Sequence, residues 1–337
     1  MIGGAMHPDQ EKTKAMSDTN SSKALLLTLA ASAVLGGLLV IVSIQRSSNM
    51  AIDSESLVAL EATAEYGERL IRETTRYMGQ HQPDPAKRLS GNGLDCSSCH
   101  LVSGSDPGTL SLLETSSRYP RFSGRDGGDR DLRDRINGCM QRSMNGVELD
   151  RNSIEMIAME TYILGLGRDF SLMSEDKKQA DEPPTFAEPD RKADLVAGQQ
   201  VYENRCQVCH GANGEGLQES TDISEGYVFP PLWGPESYNN GAGMGRVLTA
   251  ANFIKARMPL GQADLSDDEA FDVSAYINSK PRPEKSNLEE DYPELFRKPV
   301  DSPYPPYADP FPQEQHQYGP FTPIREYYRS QNNGQPG

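Results

Sequence analysis

Cysteine and histidine are scarce in this chain, and positive charge is short. Five cysteines in 337 residues are too few for a disulfide framework. Only five histidines are present, so side chains able to bind a metal through nitrogen are few. Thirty-three lysines and arginines face 49 aspartates and glutamates, a formal charge of -16. Nucleic acid and anionic membrane surfaces are therefore poor partners. Apolar residues make up a modest 36%, with 30 glycines and 24 prolines, which suits small, loop-rich domains better than one large core. No short-period repeat is visible and no stretch alternates at period two, so little sheet is expected.

Long hydrophobic runs are missing, with one exception. Ala24 to Ile44 is uncharged for 21 residues, long enough to span a bilayer as a helix. Lys12, Lys14 and Lys23 precede it and only Arg46 follows closely. The charge bias places residues 1–23 in the cytoplasm and the rest of the chain outside it. The rival reading is a cleaved leader, with Ala31–Ala33 ("ASA") as the cleavage signal. Either way the bulk of the chain is exported.

One long-range echo organises the remainder. "CSSCH" (Cys96–His100) and "CQVCH" (Cys206–His210) lie 110 residues apart, about one small domain each. Between them, residues 173–193 are charged, proline-containing and nearly free of large apolar side chains, the composition of a linker. The expected division is a domain at 51–172, the linker, a second domain at 194–283, and an extension at 284–337. Helical spacing appears in 57–78, and again in "SIEMIAMETYILGLG", which is expected to stop at Gly165 and Gly167. A helix also leads into the second CxxCH. Ser266 and Glu269 are spaced as a capping box, with Phe271, Val273 and Ile277 as candidate core residues. The extension is rich in Pro, Tyr and Phe, and a solvated tail usually lacks aromatics. An extended strap over the domains is expected, with the last residues loose. The fold class is all-α.

C-x-x-C-H is the attachment signature of c-type haem. Two thiols on one tight turn form thioethers with the two vinyl groups of a porphyrin, and the histidine meets the iron from the proximal side. A redox cysteine pair or half a zinc site are the bland readings. Two complete copies on an exported chain favour two covalent haems, attached at Cys96, Cys99, His100 and at Cys206, Cys209, His210. For the sixth ligand of the second iron, Met258 in "KARMPLGQ" is the candidate and Met244 the runner-up. His81 and His316 sit in polar, loop-like contexts that support bis-histidine ligation only weakly.

The first domain has no such Met-Pro. It has Cys139, 39 residues after His100, at the end of a run holding seven arginines between Arg118 and Arg142. Cys139 is either a distal iron ligand or a small buried hydrophobe. The arginines are either a solvated, ion-paired face or an oxyanion site that also favours thiolate.

"RINGCMQRSMNG" and "SIEMIAMETYI" resemble the thiosulfate dehydrogenases, dihaem cytochromes that couple two thiosulfates into tetrathionate. "FPPLWGPESYNNGAGM", "FIKARMPLGQADLSDDEAFDVSAYI" and "SPYPPYADPFPQEQHQYGPFTPI" continue the resemblance over roughly residues 55–325. It implies that Cys139 ligates a catalytic first haem opposite His100. It implies that Arg125, Arg135 and Ser143 line the substrate pocket, and that Met258 ligates the electron-exit haem opposite His210. Arg257 stands where the family can have a competing lysine, and it is too basic to ligate iron readily. A soluble c-type cytochrome or terminal oxidase would accept the electrons. The chain would sit on the periplasmic side of the bacterial inner membrane, anchored by residues 24–44. The alternatives are a tetrathionate reductase, a membrane-tethered dihaem electron carrier without its own substrate, and a c-type subunit of a respiratory complex.

Overall fold

Two pairs of crossing helices set the frame. In the computed structural model, which describes residues 62–179 and 186–331, the first half contains α1 (Ala64–Arg72), α2 (Thr74–Met78), α3 (Leu132–Arg142), α4 (Ile154–Ser171) and α5 (Glu175–Gln179). The second half contains α6 (Leu195–Val201), α7 (Gln207–His210), α8 (Val247–Arg257) and α9 (Asp267–Asn278). A π-helical turn, Tyr202–Cys206, joins α6 to α7. The chain ends in α10 (Gln313–Tyr318) and α11 (Thr322–Gln331). Sheet is confined to two small antiparallel hairpins, β1 (Arg121–Ser123) with β2 (Gly128–Arg130), and β3 (Leu217–Gln218) with β4 (Tyr227–Phe229).

The same device builds both crossings. Thr63 caps α1, its hydroxyl accepting the Tyr66 N–H at 3.1 Å, and Asp194 caps α6, its carboxylate accepting from Val196 and Ala197. Four residues after each cap stands a glycine. A Cβ on Gly67 would lie 2.0 Å from the Ala158 carbonyl oxygen and 2.9 Å from the Tyr162 Cβ. A Cβ on Gly198 would lie 2.1 Å from the Asp272 carbonyl oxygen and 3.0 Å from the Tyr276 Cβ. Only glycine lets α1 meet α4, and α6 meet α9, this closely. The echo of the two CxxCH motifs is thus an echo of the helix pairs around them.

Each crossing closes a core. Leu70, Ile71, Met140, Met156, Ala158 and Ile163 are buried together in the first half. Tyr202, Ile254, Leu265, Val273 and Ile277 are buried in the second, with Cys206 and Met258 packed against them. Each fully buried side chain of this size contributes about 2 kcal/mol. A third cluster, Val247, Phe271, Phe321, Ile324 and Tyr328, fastens the C-terminal helices to α8 and α9.

The capping box at Ser266 and Glu269 forms as expected, and Phe271, Val273 and Ile277 are buried. The expected stop at Gly165 and Gly167 does not occur, because α4 runs on to Ser171 and buries Phe170. Gly167 serves packing instead. A Cβ there would stand 1.9 Å from the Ser116 hydroxyl.

Several expectations fall outside the described residues. They include the apolar run at 24–44, Leu57, Leu60 and residues 332–337. Among the described residues no helix is long and apolar enough to cross a membrane. The segment after Pro281 is not extended throughout, since α10 and α11 lie within it, and Ser330 and Gln331 belong to α11 rather than to a loose end.

Candidate functional site

The two CxxCH segments adopt tight turns. Cys96–Ser98 is a 3-10 turn whose N-cap, Asp95, donates its N–H to the Ser98 hydroxyl at 3.2 Å and accepts the Ser98 N–H on its backbone carbonyl at 2.9 Å. Asp95 also accepts the Thr75 N–H at 2.7 Å, and burial raises its pKa to about 6. The second motif completes α7. None of the five cysteines is in a disulfide. Burial pushes Cys96 up to about 12, and Cys99 and Cys206 up to about 11.

Both histidines are held alike. His100 Nδ1 lies 2.6 Å from the Leu110 carbonyl oxygen, and His210 Nδ1 lies 2.8 Å from that of Pro230. A carbonyl can only accept, so the Nδ1 of each ring donates and Nε2 is left free to bind iron. This is the outer-shell arrangement that orients a metal-binding histidine. Two cysteines outside any disulfide beside an oriented histidine, twice over, fit covalent haem.

Above the first motif is a cavity of about 890 Å³. Its walls include Cys96, His100, Arg121, Arg135, Cys139 and Met140. Cys139 lies on α3, one turn after Arg135, and lines the same cavity as His100. Burial would raise the pKa of this thiol. The Arg135 guanidinium, then His100 and Arg125, more than offset that, and the net is a lowering to about 7. Arg135 answers with a pKa raised first by Cys139. Protein surrounds Arg135, yet it keeps accessible surface on the cavity it lines.

Packing separates the seven arginines. Arg118 pairs with Glu114, Arg130 with Asp126, and Arg133 with Glu160, as a solvated face would. Arg142 reaches Asp291 at 2.7 Å, and Arg125 stands 3.9 Å from the same carboxylate. Among the described residues no carboxylate lies within ion-pair distance of Arg121 or Arg135, and both line the cavity, alongside the Arg118–Glu114 pair. Arg121 escaped the sequence reading. Its only signal is its place in the arginine run.

Arg125 and Ser143 are not cavity walls. Arg125 sits in the β1–β2 turn, where its Nε donates to the Tyr292 hydroxyl at 3.3 Å and its Nη1 to the Gly241 carbonyl at 3.4 Å. Its charge still reaches Cys139 and Arg135. Ser143 caps the C-terminus of α3, its N–H donating to the Cys139 carbonyl and its own carbonyl accepting from Asn92 at 2.8 Å. The C-terminal extension closes over this side. Asp291 is buried between Arg142 and the Tyr304 hydroxyl, both at 2.7 Å. Lys298, 2% exposed, lies over the Tyr304 ring at 4.3 Å, and burial lowers its pKa to about 8. Nothing in local spacing marks Asp291, which lies 149 residues from Arg142, or Tyr304, which donates to it.

At the second site, Met258 packs in the cluster that contains Cys206, whereas Met244 packs in the cluster that contains Cys96. Of the remaining histidines, His81 is exposed in a turn. His316 is fully buried in the extension, with Nδ1 on the Val300 carbonyl at 2.8 Å, Nε2 on Asp309 at 3.1 Å and the ring stacked on Tyr307. Both its nitrogens are engaged away from either site. The polar, loop-like setting expected for it is corrected accordingly.

Comparison with known proteins agrees with this division. Residues 87–172 match the family described as "SoxA/TsdA, cytochrome c domain", and residues 195–280 match "Cytochrome c". Two such domains, each with its CxxCH, identify two sites for covalently bound haem c. The chain is 42% identical over 206 residues to a protein of Psychrobacter arcticus named thiosulfate dehydrogenase, covering 60% of this chain and 61% of that one. It is 38% identical over 222 residues to a protein of the same name from Allochromatium vinosum, covering 64% of this chain and 79% of that one. The matched segments span less than two thirds of the first three relatives, at 61, 63 and 64% of their length. A solved structure of thiosulfate dehydrogenase (TsdBA) from Marichromatium purpuratum, "as isolated" form, superposes with a TM-score of 0.58 at 33% identity, covering 70% of this chain and 48% of that one. On the length and identity of the Allochromatium match, the chain belongs to the thiosulfate dehydrogenase family.

Proposed function

We propose that this chain oxidises two thiosulfates to tetrathionate. The observation that carries the reading is Cys139 beside the ion-pair-free Arg135 in the cavity above His100. His100 and Cys139 would hold the first iron, and His210 and Met258 the second. The two haems supply one-electron acceptance apiece, matching the two electrons released when two sulfane sulfurs join.

The residues of the cavity address the difficulty of that reaction, which is bringing two dianions together. Arg135 and Arg121 offer guanidinium donors with no carboxylate partner to displace, so an entering oxyanion gains charge-assisted hydrogen bonds at little cost. Arg125, held by Tyr292 and Gly241 behind the wall, adds positive potential without direct contact. Ser143 supports the end of the helix that carries Cys139. Cys139 presents a sulfur at the point where the sulfane sulfur must approach, as iron ligand or as nucleophile.

The exported part would work on the periplasmic side of the inner membrane, tethered through residues 24–44. A soluble c-type cytochrome or a terminal oxidase would take the electrons. The charge bias around the apolar run supports this placement.

The direct test is to add thiosulfate to the oxidised dihaem protein. Haem reduction with one tetrathionate formed per two electrons is the expected result. Absence of reduction across a range of pH would sink the reading. Reduction without tetrathionate would leave only an electron carrier.

A further inference from the structure

Helix α8 faces both haem sites. Asn252, in its middle, lines the cavity above His100. Its last residue, Arg257, immediately precedes Met258, which packs beside Cys206 at the second site. Arg257 does not turn toward that second site. Its Nη1 donates to Asp106 Oδ2 at 2.7 Å, and its Nη2 donates to the carbonyls of Asp106, at 3.5 Å, and Pro107.

The guanidinium lies against Gly108. A Cβ at Gly108 would stand 3.0 Å from Nη2 and crowd the guanidinium, and the backbone there has φ +103°, a conformation that favours glycine. Gly108 is itself a wall of the first cavity, and two residues on is Leu110, whose carbonyl orients His100. One side chain thus joins the loop that aims the proximal histidine of the first haem to the residue beside the distal methionine of the second.

The surroundings explain why such a tie matters. Leu260 to Asp264, just after Met258, are exposed. The turn is held by Lys255 Nζ on the Leu265 carbonyl at 2.7 Å, by the Gln262 N–H on the Pro259 carbonyl at 2.8 Å and by the Arg205–Asp264 ion pair, and none of these reaches the His100 loop. A thioether is a neutral, flexible ligand, and its hold on iron depends on the backbone that delivers it. The planar fork of arginine serves a carboxylate and two carbonyls at once, in a fixed geometry.

We propose that the Arg257–Asp106 clamp is a positioning device that holds Met258 on the second haem and couples that ligand to the His100 loop. The proposal rests on Met258 being the ligand. Arg257→Gln and Asp106→Asn, each prepared with both haems attached, should lose most of the far-red sulfur–iron band of the oxidised protein. Each should also lower the potential of the second haem, because methionine ligation raises it. The double variant should lose no more than either single, as partners in one interaction do. Band and potential unchanged in both singles, or losses that simply add, would overturn the clamp. Met258→Ala separates the two readings. If it keeps the band, the ligand assignment fails and takes the clamp with it. If it abolishes the band while the clamp variants retain theirs, the clamp alone falls.

Discussion

The two haem halves share a frame and differ in what they set opposite the histidine. Each has a capped helix with a glycine four residues in, crossing a longer helix at backbone contact. Each fixes its CxxCH histidine through Nδ1 on a loop carbonyl. Above His100 the chain then places a thiol, two arginines without ion pairs, and a cavity of about 890 Å³. Beside Cys206 it places Met258 in an apolar cluster with Ile254, Leu265 and Trp233. On the proposed function, a shared haem-holding frame serves as a reaction site in one half and an electron store in the other. A few side chains on α3 and in the C-terminal extension make the difference.

The most direct way to break this contrast is Cys139→Met, which gives the first half the ligand type of the second. Both haems should remain attached, and a second sulfur–iron band should appear. Thiosulfate turnover should fall on the order of a thousandfold or more, as when a group acting with its neighbours is removed. Retained turnover would take Cys139 out of the mechanism.

Asp291→Asn removes the carboxylate that the extension sets against the arginines of the first half. It leaves Arg142 buried without a carboxylate and strips Arg125 of its neighbour. Breaking one partner of a buried pair costs about 3 kcal/mol or more. The thermal midpoint of the first half should drop while the second-haem band stays. Equal loss in both halves would show that the extension stabilises the molecule generally.

Arg135→Gln should have a smaller effect, lowering kcat/KM for thiosulfate about 30-fold, the loss of one charge-assisted contact of about 2 kcal/mol. Arg118→Gln, at an exposed arginine already paired with Glu114, should change it little. Comparable effects from the two would erase the distinction drawn between paired and unpaired arginines.

What could be read from the chain alone was whatever depends on short spacing. Cysteines three apart with a following histidine, and a Ser266–Glu269 capping box, are complete within one helical turn, so local chemistry specifies them. Cys139 beside arginines was also legible, because Arg135 and Cys139 lie one turn apart on one helix. Which arginine stays unpaired was not legible, because the deciding carboxylates include Asp291, about 150 residues downstream. Gly165 and Gly167 read as a helix end because glycine both ends helices and permits close packing. Only the approach of Ser116 shows which applies at Gly167.

Met258 and Met244 divide on the same ground. Both lie within 50 residues of His210, and only packing assigns one to the Cys206 cluster and the other to the Cys96 cluster. The sequence by itself determined two haem attachment sites, a helical fold and a thiol within a cationic run, since each is a property of near neighbours on the chain. Tertiary structure decided which arginines face the cavity, how the extension buries Asp291 against them, and how Arg257 ties the two sites together. Those outcomes depend on long-range contacts, where burial and charge pairing between distant segments outweigh local preference.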